Sequence, residues 1–240
     1  MFSPSVTQIK NDLLTALVSK DYQHLVPQLE SVDLSLGDVI YVADTKIEYV
    51  YFPETAVVSM LATLEDGATS EVGIIGREGM VGLTIFLAGV ITPEQALVQL
   101  SGTAKRMKAA DLSKELRLGS PLQLLLLRYT RAFIALVSQS VVCSQHHSVE
   151  QRFARWLLMM SDYAKSNELK LTQEMIAAMI GSRRAGISVA ASGLSRLNLI
   201  HTSRGMVKVV DRDGLEAATC ECYRIIRNEF DLLYASQKTN

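Results

Sequence analysis

The stretch 171-LTQEMIAAMIGSRRAGISVAASGLSRLNLI-200 decides the fold of the carboxy-terminal part of the chain. Its first ten residues predict a short helix that starts after Thr172, with an apolar face. Gly181 suits the left-handed residue that ends a helix, and Ser182 is the candidate cap of the next one. A helix, a short glycine-containing turn and a second helix predict a helix-turn-helix. The second helix has one stripe expected to be buried, namely Ile187, Ala190, Ala191 and Leu194.

The next residues, 198-NLIHTSRGMVKVV-210, predict a hairpin beside the two helices. Two β-prone runs flank Ser203-Arg204-Gly205, which is a plausible turn, so the hairpin would form a wing. Residues 170–210 carry a net charge of +5, and the other 199 residues carry −6. A basic region on an otherwise acidic chain predicts a local site for a polyanion.

We predict that the second helix and the wing contact DNA. Arg184, at the amino end of the helix, is placed to bond guanine, and Val189 is placed to touch a thymine methyl group. Arg204 at the wing tip is expected to meet a phosphate. The alternative is a winged helix that contacts protein, with its arginines only solvated. The full predicted DNA-binding set is Thr172, Gln173, Ser182, Arg183, Arg184, Ala185, Ser188, Val189, Ser192, Arg196, Ser203 and Arg204.

Two glycines make this second helix intrinsically weak. Gly186 and Gly193 each cost about 1 kcal/mol relative to alanine. Tertiary packing of the buried stripe can offset that cost. The sequence leaves open whether the glycines allow close approach to the DNA backbone or to the preceding helix.

The helical pattern of the preceding residues ends at Val32, and residues 32–109 read as short strands. Short runs rich in Val, Ile and Tyr are separated by turn signals such as 36-LGD-38 and 65-EDG-67. Six or more short strands without intervening helices predict an antiparallel barrel or sandwich. We therefore predict an α+β chain. It has an amino-terminal antiparallel β-barrel domain over residues 1–120, a dimerisation helix over 121–146 and a DNA-binding domain over 147–240.

The helix that starts at Ser120-Pro121 has two adjacent apolar stripes, wider than one core contact usually needs. One stripe can cover the barrel while the other pairs with a second copy of the helix. A helix buried wholly within its own domain is the alternative. One stripe runs through Leu127, Thr130, Ile134, Val137 and Val141. The stripe predicted to form the dimer interface is Leu122, Leu126, Tyr129, Phe133, Leu136, Ser140 and Cys143.

The order of barrel, long helix, capped helix, helix-turn-helix and wing resembles the Crp/Fnr family of bacterial transcription regulators. The resemblance covers nearly the whole chain and is sharpest in 146-HHSVEQRFARWLL-158, in the segment quoted first and in the wing. It implies a jelly-roll barrel of the cyclic-nucleotide-binding type. It also implies a homodimer with two recognition helices in successive major grooves of a near-palindromic site. Double-stranded DNA and a second copy are the expected partners, and RNA polymerase is a further candidate.

The effector site departs from the family pattern. Members that bind cyclic AMP carry Gly-Glu-Leu and a later Arg-Ser/Thr-Ala step, where the Glu holds the ribose and the Arg pairs with the phosphate. Leu83 stands here in place of that glutamate, and Glu94 in place of that arginine. Control by cyclic AMP in the usual manner is therefore not expected, which leaves an unknown small-molecule effector or none. The degenerate pocket is predicted from Met80, Val81, Gly82, Leu83, Glu94, Gln95, Ala96, Val137 and Ser138.

Recognition of DNA should differ as well. The family's cyclic-AMP-type helices carry an Arg-Glu pair followed by a second Arg four residues after the Glu. Arg184 matches the first position, but Ala185 replaces the Glu and Val189 replaces the second Arg. The resemblance therefore implies a different target sequence.

The three cysteines are too few for a disulfide framework. Cys220 and Cys222 lie two positions apart on a predicted helix and would point to different faces, so buried or half-buried thiols are expected rather than metal ligands. Residues 1–142 contain no cysteine, which excludes the amino-terminal iron–sulfur cluster of the oxygen-sensing branch. His146 and His147 are expected to position the hinge between domains. Neither a metal nor a cofactor is predicted.

Two other functions compete with gene regulation. One is a signalling module of the cyclic-nucleotide-binding fold whose winged helix mediates protein contacts. The other is an enzyme, but a pair such as Ser192 with His201 has no third partner or glycine-rich elbow, so no enzyme is predicted. No secretory signal opens the chain, and the longest nearly apolar run, residues 81–91, is too short for a bilayer. We expect a cytoplasmic protein without membrane contact.

Overall fold

The computed structural model describes residues 10–17, 19–116 and 119–235. Ten helices and ten strands lie in these ranges, together with a 3-10 turn over Val26–Gln28. The helices are α1 (Asp12–Thr15), α2 (Ser19–Leu25), α3 (Leu83–Phe86), α4 (Ala109–Glu115), α5 (Pro121–His146), α6 (Val149–Ala164), α7 (Gln173–Ile180), α8 (Arg184–Arg196), α9 (Arg212–Ala218) and α10 (Cys222–Ala235). The strands are β1 (Glu30–Leu34), β2 (Val39–Tyr41), β3 (Tyr49–Pro53), β4 (Val57–Thr63), β5 (Thr69–Ile75), β6 (Glu94–Leu100), β7 (Gly102–Lys108), β8 (Glu168–Leu169), β9 (Ile200–Ser203) and β10 (Met206–Val209).

Two antiparallel sheets form the amino-terminal half, with strand orders β1-β7-β3 and β2-β6-β4-β5. The predicted turns at Gly37 and Gly67 are present, and both glycines have a positive φ, 87° and 84°. The α+β class with antiparallel strands is confirmed. The predicted barrel takes the form of these two sheets.

The expectation that no helix interrupts the strands is wrong, because α3 lies between β5 and β6. It starts at Gly82, whose φ of 94° is favourable mainly for glycine. The helix has only four residues. One turn is too short to show a helical period, so the sequence pattern could not reveal it.

Helix α5 starts as predicted, because the Ser120 hydroxyl accepts a hydrogen bond from Gln123 N at 3.2 Å and Pro121 is the first helical residue. Among the described residues, α5 is the helix that is long and apolar enough, by length and composition alone, to cross a membrane. Core helices of soluble proteins often share that composition. In this structure α5 packs against β5 on one side and α10 on another.

The predicted choice of dimer stripe on α5 is wrong. Five of the seven residues are buried inside the protomer, where a second copy cannot reach them: Leu122, Leu126, Tyr129, Leu136 and Cys143. The other two, Phe133 and Ser140, are partly buried. The Ser140 hydroxyl accepts a hydrogen bond from Arg155 Nη1 at 3.1 Å. The stripe that remains exposed is apolar and consists of Leu124, Leu127, Ile134, Val141 and Val142.

In the carboxy-terminal half, α6 starts with the predicted capping box. The Ser148 hydroxyl accepts from Gln151 N, and the Gln151 side chain accepts from Ser148 N at 3.1 Å. Helices α7 and α8 follow, and β8, β10 and β9 form a small antiparallel sheet beside them. Helix α10 then returns to the long helix, where Glu229 pairs with Arg131 at 2.9 Å.

Glu78, in the loop between β5 and α3, is a buried carboxyl group where the two halves meet. Its Oε1 accepts a hydrogen bond from Gly76 N at 2.9 Å. Its Oε2 has no hydrogen-bond partner in the part of the chain that the structure describes. The Tyr234 hydroxyl of α10 donates to the Glu78 backbone carbonyl at 2.5 Å. Burial raises the pKa of the Glu78 carboxyl to about 8, and nearby Asp12 adds to this effect.

The raised pKa of Glu78 predicts that the protein loses stability as the pH rises. Between pH 4.5 and about 8 the folded state holds a proton on Glu78 that the unfolded state has lost. The free energy of unfolding should therefore fall with rising pH, by at most about 1.4 kcal/mol per pH unit for this one group. Burial also raises the pKa of Glu71, to about 7, so Glu71 adds a further loss of stability with rising pH, in a lower pH range. The free energy of unfolding, measured with urea at a series of pH values, should fall less steeply with pH above pH 7 in Glu78→Gln than in the parent.

The exposed residue Glu65 supplies the matched control for this measurement. Glu65→Gln should keep the parental pH dependence. An unchanged slope in Glu78→Gln between neutral pH and pH 8 would contradict the assignment of the proton to Glu78.

Candidate nucleic-acid interface

The turn between α7 and α8 has the predicted geometry, apart from one cap. The Thr172 hydroxyl accepts a hydrogen bond from Met175 N at 3.2 Å and caps α7. Gly181 ends α7 in the left-handed conformation, with φ 63°. The predicted cap of α8 is wrong, because the N-cap residue is Arg183 and the Ser182 hydroxyl makes no cap hydrogen bond. That hydroxyl instead lies 3.5 Å from the Arg183 carbonyl.

Helix α8 is held by the stripe predicted to be buried. Ile187 and Leu194 are fully buried, and Ala190 and Ala191 are at most 4 % exposed. This face packs against α6 and α7. Burying apolar surface contributes about 25 cal/mol per Å², so this stripe stabilises a helix that two glycines weaken.

The two glycines of α8 face the start of α6, neither outward nor toward the preceding helix α7. A Cβ atom built on Gly193 would lie 2.2 Å from Glu150 Oε2. A Cβ on Gly186 would lie 3.0 Å from the Ser182 hydroxyl and 3.9 Å from Val149. Gly193 thus allows α8 to approach α6 closely, while Gly186 has more room.

The opposite face of α8 is open to solvent and carries most of the predicted contact residues. Val189 is 72 % exposed. Arg184 Nε forms an ion pair with Glu174 Oε1 on α7 at 2.9 Å, and both side chains are exposed. Such exposed pairs contribute about 0–1 kcal/mol, so little is lost when Arg184 changes partner. Ser188 is half-buried, and its hydroxyl donates to Gln173 Oε1 at 2.6 Å. Exposed with Val189 are Arg183, Ala185, Ser192 and Arg196.

The predicted wing is confirmed as the hairpin β9–β10. Ser203 pairs with Met206, so Arg204 and Gly205 form a two-residue turn, and Gly205 has φ 68°. Ser203 and Arg204 are exposed. A cleft of about 520 Å³ separates the wing from the two helices. The predicted residues that line it are Thr172, Gln173, Arg184, Ser203 and Arg204.

The predicted effector residues are mostly packed within the amino-terminal half. Met80, Val81 and Ala96 are fully buried, and Val81 pairs with Tyr51 through both backbone hydrogen bonds, at 2.8 and 3.0 Å. Leu83 is half-buried as the first residue of α3. Gln95 in β6 and Val137 on α5 are partly buried, and Ser138 on α5 is exposed.

Charge at this position does not favour a phosphate. The Glu94 carboxylate is half-buried and accepts a hydrogen bond from the Thr92 hydroxyl. Arg77, in the loop between β5 and α3, is the cation that could have replaced the missing phosphate-binding arginine. Its guanidinium is bound by Asp12, with Nη2 and Oδ1 2.6 Å apart.

One cluster was missed by sequence reasoning. The side chains of Cys143, His147, Cys220 and Cys222 lie together at the end of α5. The expectation that Cys220 and Cys222 point to different faces of one helix is wrong, because α10 begins at Cys222 and Cys220 precedes it. The i, i+4 spacing of Cys143 and His147 was the signal available in the sequence.

Comparison with known proteins agrees with this architecture. A family model of the Crp-like helix-turn-helix domain matches residues 151–218. A search of curated protein sequences found no significant match. Among solved structures, FixK2 from Bradyrhizobium japonicum is similar, with a TM-score of 0.69 and 18% identity, over 80% of this chain and 98% of that chain.

Two further structures show the same likeness. TTHB099, a CRP family transcriptional regulator from Thermus thermophilus, has a TM-score of 0.65 and 19% identity, over 78% of this chain and 95% of that one. The c-di-GMP responsive global regulator CLP from Xanthomonas campestris has a TM-score of 0.63 and 14% identity, over 80% and 99% of the two chains. The chain therefore contains a Crp-like helix-turn-helix domain and has the fold of the Crp/Fnr regulators, which agrees with membership of that family.

The glycine geometry predicts different outcomes for two alanine substitutions in α8. Alanine stabilises a helix by about 1 kcal/mol relative to glycine. Gly186→Ala should gain most of this in the free energy of unfolding, since only the movable Ser182 hydroxyl is close. Gly193→Ala should gain less, because the new methyl group displaces the Glu150 carboxylate. Urea unfolding of the two variants gives the comparison.

A double substitution separates these two causes. In a Glu150→Ala background the obstacle is gone, so Gly193→Ala should become as stabilising as Gly186→Ala. If Gly193→Ala gave the same change in both backgrounds, the close approach of Glu150 would not be what requires glycine here.

Proposed function

We propose that this chain is a sequence-specific DNA-binding regulator of transcription that acts as a homodimer on a near-palindromic site. The observation that carries the proposal is the solvent-exposed face of α8 next to the wing. That face is basic and has no core role, since the opposite stripe does the packing. An exposed, positively charged recognition helix is what entry into a DNA major groove requires.

Within this interface the residues take different roles. Arg184, at the first turn of α8, is proposed to bond guanine O6 and N7, and its exchange of Glu174 for a base costs little. Val189 is proposed to touch a thymine methyl group. Arg204 on the wing and Arg183 at the turn are proposed to bind phosphates, which hold the helix in register. Ser188 lies on the same face and is proposed to contact the DNA as well, although its hydroxyl donates to Gln173 in the free protein.

Helix α5 supplies the proposed dimer contact through the stripe that the protomer leaves exposed. Leu124, Leu127, Ile134 and Val141 are each about half exposed, from 49 to 58 %. A second copy of α5 would bury this apolar stripe along a two-fold axis. Two copies of α8 would then face successive major grooves.

We propose that cyclic AMP does not control this protein in the usual manner. The buried, apolar Met80-Val81 segment and the carboxylate at Glu94 offer a cyclic phosphate no cation. Asp12 already neutralises Arg77. Another effector or none remains compatible with the proposal, and RNA polymerase is a candidate partner at the promoter. A cytoplasmic location and the absence of catalysis are parts of the same proposal.

Binding selection from random DNA tests the function directly. Purified protein without added ligand should enrich a two-fold-symmetric motif, and the log of the binding constant should fall linearly with the log of salt concentration. A protein-contact module would enrich no motif. Enrichment of an asymmetric single half-site would contradict dimeric binding while keeping DNA recognition.

Substitution of the two arginines should separate base reading from phosphate binding. Arg184→Ala should relax preference at one base pair per half-site, a loss of about 1–3 kcal/mol of discrimination. Arg204→Ala should weaken binding uniformly across sequences and reduce the salt slope by about 1. The exposed Arg224 on α10 lies outside the interface, so Arg224→Ala serves as the control. Full site preference in Arg184→Ala would remove this residue as the base reader.

Charge in the exposed stripe of α5 should dissociate the dimer. Ile134→Glu places two carboxylates opposite each other in the proposed apolar contact, so sedimentation should show monomers and DNA affinity should fall. Leu64 in the β4–β5 turn is exposed to a similar extent, and Leu64→Glu is the control that should remain dimeric. A parental protein that sediments as a monomer on DNA would refute this interface.

A further inference from the structure

Four side chains with metal-binding atoms converge where α5 ends and α10 begins. Cys143 is in the last turn of α5, and His147 is the residue that caps it. Cys220 lies between α9 and α10, and Cys222 is the first residue of α10. One ligand atom from each of the four lies within 4.8 Å of all the others.

Two of the distances between these atoms are close to those of a tetrahedral metal site. Cys143 Sγ and Cys220 Sγ are 3.5 Å apart, and Cys222 Sγ and His147 Nδ1 are 3.4 Å apart. Zinc binds sulfur at about 2.3 Å and nitrogen at about 2.0–2.1 Å, so a tetrahedral ion separates two sulfurs by about 3.8 Å and a sulfur from a nitrogen by about 3.5 Å. The other pairs of ligand atoms are at most 4.8 Å apart, so shifts of up to about 1 Å would complete the coordination. A disulfide would need the sulfurs at about 2.05 Å, which is a much larger approach.

The neighbours of His147 also orient its ring for metal binding. His147 Nε2 lies 3.3 Å from Glu221 Oε2, which leaves Nδ1 on the side of the cysteines. Ligating histidines usually donate their other ring N–H to a carboxylate in this way. All three cysteines are buried, and Gln139 Nε2 donates to Cys222 Sγ at 3.2 Å.

We propose that Cys143, His147, Cys220 and Cys222 form a Zn²⁺ site. Three thiolates and one imidazole are a ligand set typical of structural zinc, and thiolate ligands disfavour Mg²⁺ and Ca²⁺. On binding, the three thiols lose their protons to the buffer and the imidazole binds in its neutral form. The site is complete within one chain and does not depend on DNA binding or on dimerisation.

The position of the site gives it a structural consequence. Cys143 and His147 precede the Crp-like domain, residues 151–218, and Cys220 and Cys222 follow it. The ion therefore ties both ends of the DNA-binding domain to each other at the end of α5. It lies beside Ser148, the cap from which α6 starts. Binding of zinc would hold the angle between the long helix and the DNA-binding domain.

Titration of the full-length, tag-free protein with Co²⁺ tests the site. The protein is reduced and stripped with a chelator, and Co²⁺ is added as the probe. The expected result is a thiolate-to-cobalt charge-transfer band with visible bands of tetrahedral Co²⁺, saturating at one ion per chain, and one equivalent of Zn²⁺ should remove these bands. Elemental analysis of the protein as purified should give about one zinc per chain.

Matched variants test the individual ligands. His147→Ala should weaken Co²⁺ binding at least about tenfold, whereas His146→Ala, the adjacent exposed histidine, should bind like the parent. Glu221→Gln should weaken binding about 10–100-fold. Because Glu221 is exposed, this variant should fold even where a buried Cys→Ser variant does not. Circular dichroism checks the fold of each.

Several results would overturn the proposal. Reduced, folded protein that gave no tetrahedral cobalt spectrum would do so. Equal binding by His147→Ala and His146→Ala would exclude His147 as a ligand and, with it, the proposed site. A Cys143–Cys220 disulfide in the purified protein, detected by mass, together with no metal uptake after reduction, would identify a redox pair instead.

Discussion

Packing of Tyr129 against the loop before α3 is the contact that joins the parts of this structure. The Tyr129 hydroxyl donates to the Met80 carbonyl at 3.1 Å, and its ring lies 6.4 Å from that of Phe230 on α10. Only glycine fits beneath it, because a Cβ on Gly79 would lie 2.5 Å from the hydroxyl oxygen. One side chain therefore connects the amino-terminal sheets, the long helix and the carboxy-terminal helix, which fixes the face of α5 that is buried.

The sequence could predict the two stripes of α5 but not their roles. Both stripes are apolar and share one period, so periodicity alone cannot distinguish them. The difference comes from α10, which packs on α5 from nearly a hundred residues away and places Phe230 beside Tyr129. Ile134, on the other stripe, is left to solvent. The assignment failed because it depends on a long-range contact that leaves no local pattern.

The helix-turn-helix was predictable to a much greater extent, because its signals are local. Thr172, Gly181 and the stripe that includes Ile187 act within one or two turns of chain. The α8 cap was displaced by one residue, since caps are decided by backbone angles that several neighbouring residues can adopt. The role of Gly193 needed the tertiary structure, because its neighbour Glu150 belongs to α6, another helix. Local rules thus predicted the helix-turn-helix, and packing explained its glycines.

The cysteine cluster was harder to predict, because its four side chains come from two segments that are far apart in the sequence. Cys143 and His147 are one helical turn apart, whereas Cys220 is 77 positions further along from Cys143. The start of α10 at Cys222 frees Cys220 from helical geometry, so the two cysteines can point to one centre. Closing so long a loop costs entropy that grows only slowly with its length. Because the fold already brings the two ends of this loop together, closing the loop would take little of the free energy of ion binding. Its binding would act instead at Ser148, where α6 starts, between the long helix and the helix-turn-helix.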